Sequence, residues 1–201
     1  SYRYRLQISI SVAEKIYTGS SIIEVTWSCG PKIAGLGQCS SSLGGQATVI
    51  DLGSRGVVIA ALRTGDNIIP VPEGAVDATW LCANAFGNRS TIEELPKLPL
   101  LKGRRELSPN NLPRLVWLSN PTDPMSVRKV TVGSVASTID PTARFLEAFV
   151  EITREPIVAD IPKKLSWYPA MLEKQKAGKL ELSTPGQFRL FYNMFVGEDS
   201  T

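Results

Sequence analysis

Strict period-two alternation at the N-terminus, short β-branched runs closed by glycine and proline, and only brief stretches of helical period predict an α+β fold. The expectation is a single domain with an antiparallel β-sheet core and short helices packed at one side. Within its 201 residues, 1–63 read as a β-meander and 64–201 as a mixed α/β remainder. A chain of this length can bury a sizeable core.

Each element has its own justification. In Tyr2–Val12, Tyr2, Tyr4, Leu6, Ile8 and Ile10 fall on one face and Arg3, Arg5, Gln7 and Ser9 on the other, the pattern of a half-buried strand. Tyr17–Ser20 supplies turn chemistry, and Ser21–Ser28 reads as the partner strand. Cys29–Gly45 reads as a loop, Gln46–Leu52 as a third strand, and Gly53–Gly56 as a tight turn. Val57–Leu62 is almost wholly apolar and is expected centrally, completing a four-stranded meander. Val76, Trp80 and Ala83 share a helical face, which predicts a helix over Ala75–Phe86. Ser90 with Glu93 fits a capping box, and Pro96 and Pro99 stop the helix that it opens.

Further on, Leu115–Leu118 reads as a buried strand, Asn120–Pro124 as a turn and Ser126–Val132 as another strand. Arg144–Arg154 reads as a strand again, and the longest one. Leu146, Ala148, Val150 and Ile152 share one of its faces, and Glu147, Phe149, Glu151 and Thr153 the other. Ile161–Lys176 reads as helical pieces, with Pro162 and Pro169 at first-turn positions. Phe188–Val196 fits a strand or a helix equally, and the conformation of 188–201 is left open.

Composition narrows the chemistry. Apolar residues make up 43% and charged ones 20%, an ordinary globular balance. A net charge of +3, from 22 basic and 19 acidic residues, does not specify a partner. The chain contains no histidine. That excludes Ser-His-Asp and Cys-His nucleophiles, the H-E-x-x-H zinc motif and every imidazole-bound metal. No cofactor and no metal are expected. No stretch reaches the ~18 apolar residues of a membrane span, and the chain opens at Ser1 without a signal-peptide pattern.

Of the three cysteines, Cys82 lies in the apolar run Ala78–Ala83 and reads as a small core residue. Cys29 and Cys39 flank a Gly/Ser-rich stretch. In an oxidising compartment they can pair, for roughly 3 kcal/mol by chain-entropy arguments; in a reducing cytosol they are two free thiols.

The motifs that suggest activity are each outweighed by a simpler reading. Ser126-x-x-Lys129 matches the Ser-Lys hydrolase pattern, but that pattern opens a helix, whereas Ser126 leads into a valine-rich strand. Glu147 and Glu151 share a strand face at about 13 Å, beyond the reach of a glycosidase pair. Gly35–Gly45 lacks the lysine and the spacing of a phosphate loop and reads as a flexible surface loop. Asn88-Arg-Ser90 is a formal glycosylation acceptor whose serine is better used as a cap. The basic stretch Lys97–Lys129 has only Trp117 as an aromatic, so it offers no stacking platform, and no nucleic acid is expected. Within it, Arg104 and Arg105 are the candidate binding residues, because a guanidinium fork suits carboxylates.

Six segments, Tyr2–Leu6, Gly19–Val25, Leu101–Leu107, Leu112–Val116, Asp123–Val127 and Val150–Thr153, resemble an uncharacterised bacterial protein family. The resemblance implies an N-terminal membrane anchor upstream of the tyrosine-arginine strand and a soluble domain facing away from the cytoplasm, on the periplasmic side of the inner membrane. It favours pairing of Cys29 with Cys39, since disulfides persist outside the cytosol. It assigns no active site. The functional expectation is a non-enzymatic, membrane-tethered domain that binds another membrane or periplasmic protein or acts as an accessory subunit. The alternatives are a hydrolase with a Ser/Lys or carboxylate site and a small-ligand or lipid carrier. On this reading Arg3 and Arg5, beside the anchor, either meet anionic headgroups or simply form a solvated face.

Overall fold

The computed structural model describes residues 1–30, 39–63, 75–87, 94–158, 161–170 and 173. In chain order its elements are β1 (Tyr2–Val12), β2 (Lys15–Cys29), β3 (Cys39–Gly45), β4 (Thr48–Asp51), β5 (Val57–Ala60), α1 (Ala78–Ala85), β6 (Arg104–Glu106), β7 (Leu115–Leu118), β8 (Val127–Val130), α2 (Val135–Thr138), β9 (Arg144–Thr153) and α3 (Ile161–Lys164). The strands form a five-stranded sheet, β3-β2-β1-β9-β6, and a four-stranded sheet, β4-β5-β7-β8. All pairings within the two sheets are antiparallel, and the fold is α+β.

β1 is central to the first sheet, between β2 and β9. Its alternation is realised: Tyr2, Tyr4, Leu6, Ile8, Ile10 and Val12 are buried against the second sheet, while Arg3, Arg5 and Gln7 lie on the outer face. Burying each aliphatic side chain is worth about 1.5–3 kcal/mol. The turn that follows is not Tyr17–Ser20, which lies inside β2. It is Ala13–Glu14, which joins Val12 to its partner Lys15. Both turn residues have positive φ, 48° and 65°, the conformation that a two-residue hairpin needs to match strand twist. Neither is the glycine or asparagine that would have marked the turn.

The four-stranded meander is corrected in two ways. Cys39–Gly45 is not loop but edge strand β3, paired with β2 from Ile23↔Gly45 to Cys29↔Cys39. Its glycines and serines have little intrinsic strand preference; pairing with β2 and full burial of Leu43 override it. The chain then leaves the sheet, so β4 and β5 begin the second one rather than extending the first. Gly19 permits the crossing, because a Cβ there would stand 2.4 Å from the Val49 carbonyl oxygen.

Two buried clusters result. The larger lies between the sheets and joins the β1 side chains to Ile50, Val58, Leu115, Val130 and the α1 residues Leu81 and Cys82. The smaller lies on the far face of the second sheet, where Val49, Val57, Ile59, Val116 and Leu118 meet Ile161, Leu165 and Tyr168. β5 is apolar throughout because both its faces are covered. Gln46 holds the covering segment in place: its Nε2 donates to the Val158 carbonyl at 2.6 Å, and its Oε1 accepts from the Ile161 N–H at 3.0 Å.

Helix α1 starts three residues later than expected, at Ala78. Val76 is instead extended, donating its N–H to Leu112, and Asp77 caps the helix by accepting from the Thr79 N–H. The proline-bounded helix is a 3₁₀ segment, Leu95–Leu100, that contains both Pro96 and Pro99; Ser90 and Glu93 lie outside the described residues. β8 is shorter than expected, since Ser126 ends one 3₁₀ turn and Val132 begins another. In β9 the register shifts opposite Ser9/Ile10, where Glu147 and Phe145 pair and Leu146 is skipped. Leu146 is therefore a bulged residue, 45% exposed, and not part of the inner face. Of the C-terminal pieces, α3 covers Ile161–Lys164; Phe188–Val196 lies outside the described residues.

Candidate functional site

A cleft of about 570 Å³ opens at the end of the first sheet where β1 begins and β9 ends. The stretch Pro99–Gly103, which runs out of the end of the 3₁₀ segment, supplies its other wall through Pro99, Leu101, Lys102 and Gly103. Gly103 reverses the chain at φ +87°, and its carbonyl accepts the Ile152 N–H at 3.0 Å, fixing that wall to β9. Arg3, Lys102 and Arg154 bring three cationic side chains to the cleft, against one carboxylate, Glu24. Arg3 already engages it, with Nε at 3.1 Å and Nη2 at 3.0 Å from one Glu24 oxygen. Lys102 and Arg154 are exposed and have no ion-pair partner among the described residues. The cleft thus mixes apolar and polar lining, carries a net cationic charge and has no nucleophile–base pair among its lining residues. A surface of that charge suits an anion.

Neighbouring charges are largely internal to the fold. Arg5 bonds Glu151 at 3.2 Å and also Glu155. Arg55 donates to Asp140 at 2.7 Å, and Asp140 also accepts from the Thr142 hydroxyl and N–H. The Thr142 bonds, with Arg55 assisting, hold its carboxyl at about 2. Those bonds fix the turn before β9, and Ala13 N–H donates to Thr142 from the β1–β2 turn beside it.

The residues singled out by sequence do not converge. Arg104 and Arg105 are adjacent on β6 and so point to opposite faces. The Arg104 guanidinium sits 3.2 Å from the Phe149 ring centre and 3.6 Å from Glu147, while Arg105 lies 4.8 Å over Phe86. Both serve as lids on aromatic side chains. The Ser126 hydroxyl donates within its own turn, to the Asn120 and Asp123 carbonyls, and accepts the Asn120 N–H. That leaves it spoken for as a nucleophile. Glu147 and Glu151 are engaged by Arg104 and Arg5. Within the basic stretch Arg114 is fully buried, and burial lowers its pKa. Sequence reasoning passed over Lys102 and Arg154. The available signal was Leu-Leu-Lys-Gly at 100–103, where a glycine after a lysine marks an exposed turn.

Cys29 and Cys39 face each other across the β2–β3 pair and are bonded, with Cα atoms 4.1 Å apart. Cys82 is buried and reduced, its thiol pushed up to about 12 by desolvation. Near it, Tyr4 Oη donates to the Ala78 carbonyl at 2.5 Å, whereas Tyr2 Oη and Trp27 Nε1 are buried without a hydrogen bond among the described residues. Also among the described residues, no group of three His, Cys, Asp or Glu side chains is placed to hold a metal, and no helix is long and apolar enough to cross a membrane. No protein-family model, curated protein or solved structure matches this chain.

Proposed function

We propose that this chain is a non-enzymatic extracytoplasmic domain, tethered beside a membrane, that binds another membrane or periplasmic protein or serves as its accessory subunit. The observation that carries this reading is the Cys29–Cys39 disulfide. Such a bond persists in the periplasm and is reduced in most cytosols. The resemblance to an anchored bacterial family supports the same location. The hydrolase alternative draws no support from Ser126, whose hydroxyl is occupied by its own turn. A carrier would need room between the sheets, and that space is packed with Tyr4, Leu6, Ile8, Ile10, Ile50 and Val58.

The test is fractionation of cells making the full-length gene product. The expected result is a membrane-associated protein that added protease digests in spheroplasts but not in intact cells, with Cys29 and Cys39 refractory to alkylation until reduced. Recovery in the cytosol with both thiols alkylated would overturn the proposal.

A further inference from the structure

Leu100, at 74%, is the most exposed large apolar side chain among the described residues. By itself an exposed leucine means nothing. This one lies between Pro99 and Leu101, two residues that line the cleft together with Arg154, and two residues before Lys102. A projecting apolar residue beside uncompensated cations suits the boundary between acyl chains and anionic headgroups. Arg3 and Arg5, the residues that sequence position alone would nominate for headgroup contact, are held by Glu24 and by Glu151 with Glu155. Their charge is locally cancelled. Lys102 and Arg154 keep theirs.

We infer that the Pro99–Gly103 wall docks this domain onto an anionic bilayer surface, with Leu100 entering the headgroup layer and Lys102 and Arg154 meeting lipid phosphates. The occupant follows from charge complementarity together with Leu100, which a soluble anion would leave in water. The inference rests on the membrane-proximal reading above, since the cleft lies at the Ser1 end of β1.

The test is sedimentation of the 201-residue chain with phosphatidylcholine vesicles, with and without phosphatidylglycerol, at low and high salt. Binding is expected only with the anionic lipid and is lost at high salt. Lys102→Gln and Arg154→Gln should each weaken it about fivefold, and Leu100→Ser about tenfold or more. Arg5→Gln removes the same charge elsewhere and should weaken it less than either. Leu100→Trp reports insertion directly, by a blue shift of emission on the anionic vesicles. The inference is overturned by absent vesicle binding, by equal losses in Arg5→Gln and Lys102→Gln, by an indifferent Leu100→Ser, or by full competition from soluble glycerol phosphate. The two proposals fail separately. A periplasmic, membrane-bound protein whose domain ignores vesicles leaves the tether standing. A cytosolic protein whose domain binds vesicles leaves the docking wall standing.

Discussion

The two sheets bury their strands differently. In β1, apolar and polar residues alternate because one face meets the other sheet and one faces outward. In β5, and at Leu115, Val116 and Leu118 of β7, both faces are apolar because the second sheet is covered twice, by the first sheet and by the segment carrying Ile161, Leu165 and Tyr168. An unbroken apolar run is therefore a statement about neighbours: something must cover each side. Here the second cover is the segment after β9, held by Gln46 at its start and by the Trp167 Nε1–H bond to the Pro121 carbonyl further along.

The largest expected effect tests whether the two covered faces are equivalent cores. Ile8→Ala, between the sheets, and Ile59→Ala, under the C-terminal cover, each remove a fully buried side chain. Each should cost about 2–5 kcal/mol in denaturant unfolding. If Ile59→Ala costs under about 1 kcal/mol, the outer cover collapses into the gap or opens readily, and the second cluster is a flap rather than a core.

A smaller effect isolates the clamp. Gln46→Ala leaves the buried Ile161 N–H and the Val158 carbonyl without this side chain as partner. The expected cost is about 1–3 kcal/mol. Hydrogen exchange should place the loosening at Ile161 and Leu165, leaving β1 amides protected. Equal loss of protection in β1 would mean that the cover and the inter-sheet core open as one unit.

How much of this was legible follows from where the information resides. Tyr2–Val12 and Leu115–Leu118 could be read directly, because burial imposes its period on neighbouring residues. The turn at Ala13–Glu14 could not, since both residues adopt positive φ without the small or amide side chain that normally signals it. Strand β3 was hidden by serines and glycines whose conformation is set by β2, and the assignment of β4 to a second sheet depends on the contact at Gly19. The candidate site was the least legible part. Arg3, Glu24, Lys102 and Arg154 come from four separate segments, and no local pattern joins them. Arg104 and Arg105 drew attention as neighbours in sequence, and that adjacency is what separates them on a strand.

The smallest effect sharpens the comparison within the inter-sheet core itself. Tyr2 and Tyr4 lie on the same face of β1, both buried, with ring centres 6.3 Å apart. Tyr4 Oη has a carbonyl partner in Ala78; Tyr2 Oη has none among the described residues. Removing a satisfied hydroxyl strands its acceptor, whereas removing an unsatisfied one relieves a desolvation cost. Tyr4→Phe should therefore destabilise by about 1 kcal/mol, and Tyr2→Phe should be neutral or stabilise by up to about 1 kcal/mol. The pH dependence carries the same asymmetry. Burial, foremost, raises the Tyr2 and Tyr4 phenols above 10.0 and the Cys82 thiol to about 12. A group kept neutral in the fold but free to ionise once unfolded contributes its stability below the unfolded pKa, and that stability is lost as pH rises past it. Stability should accordingly begin to fall above pH 9.0, the ordinary thiol value, and more steeply above 10.0 as the phenols join. Tyr2→Phe removes one of these groups and should flatten the alkaline limb of a denaturant midpoint series. A Tyr2→Phe protein that loses about 1 kcal/mol at neutral pH would show that the Tyr2 hydroxyl is satisfied after all, and one that keeps the parent's alkaline slope would show that the fold does not hold this phenol neutral.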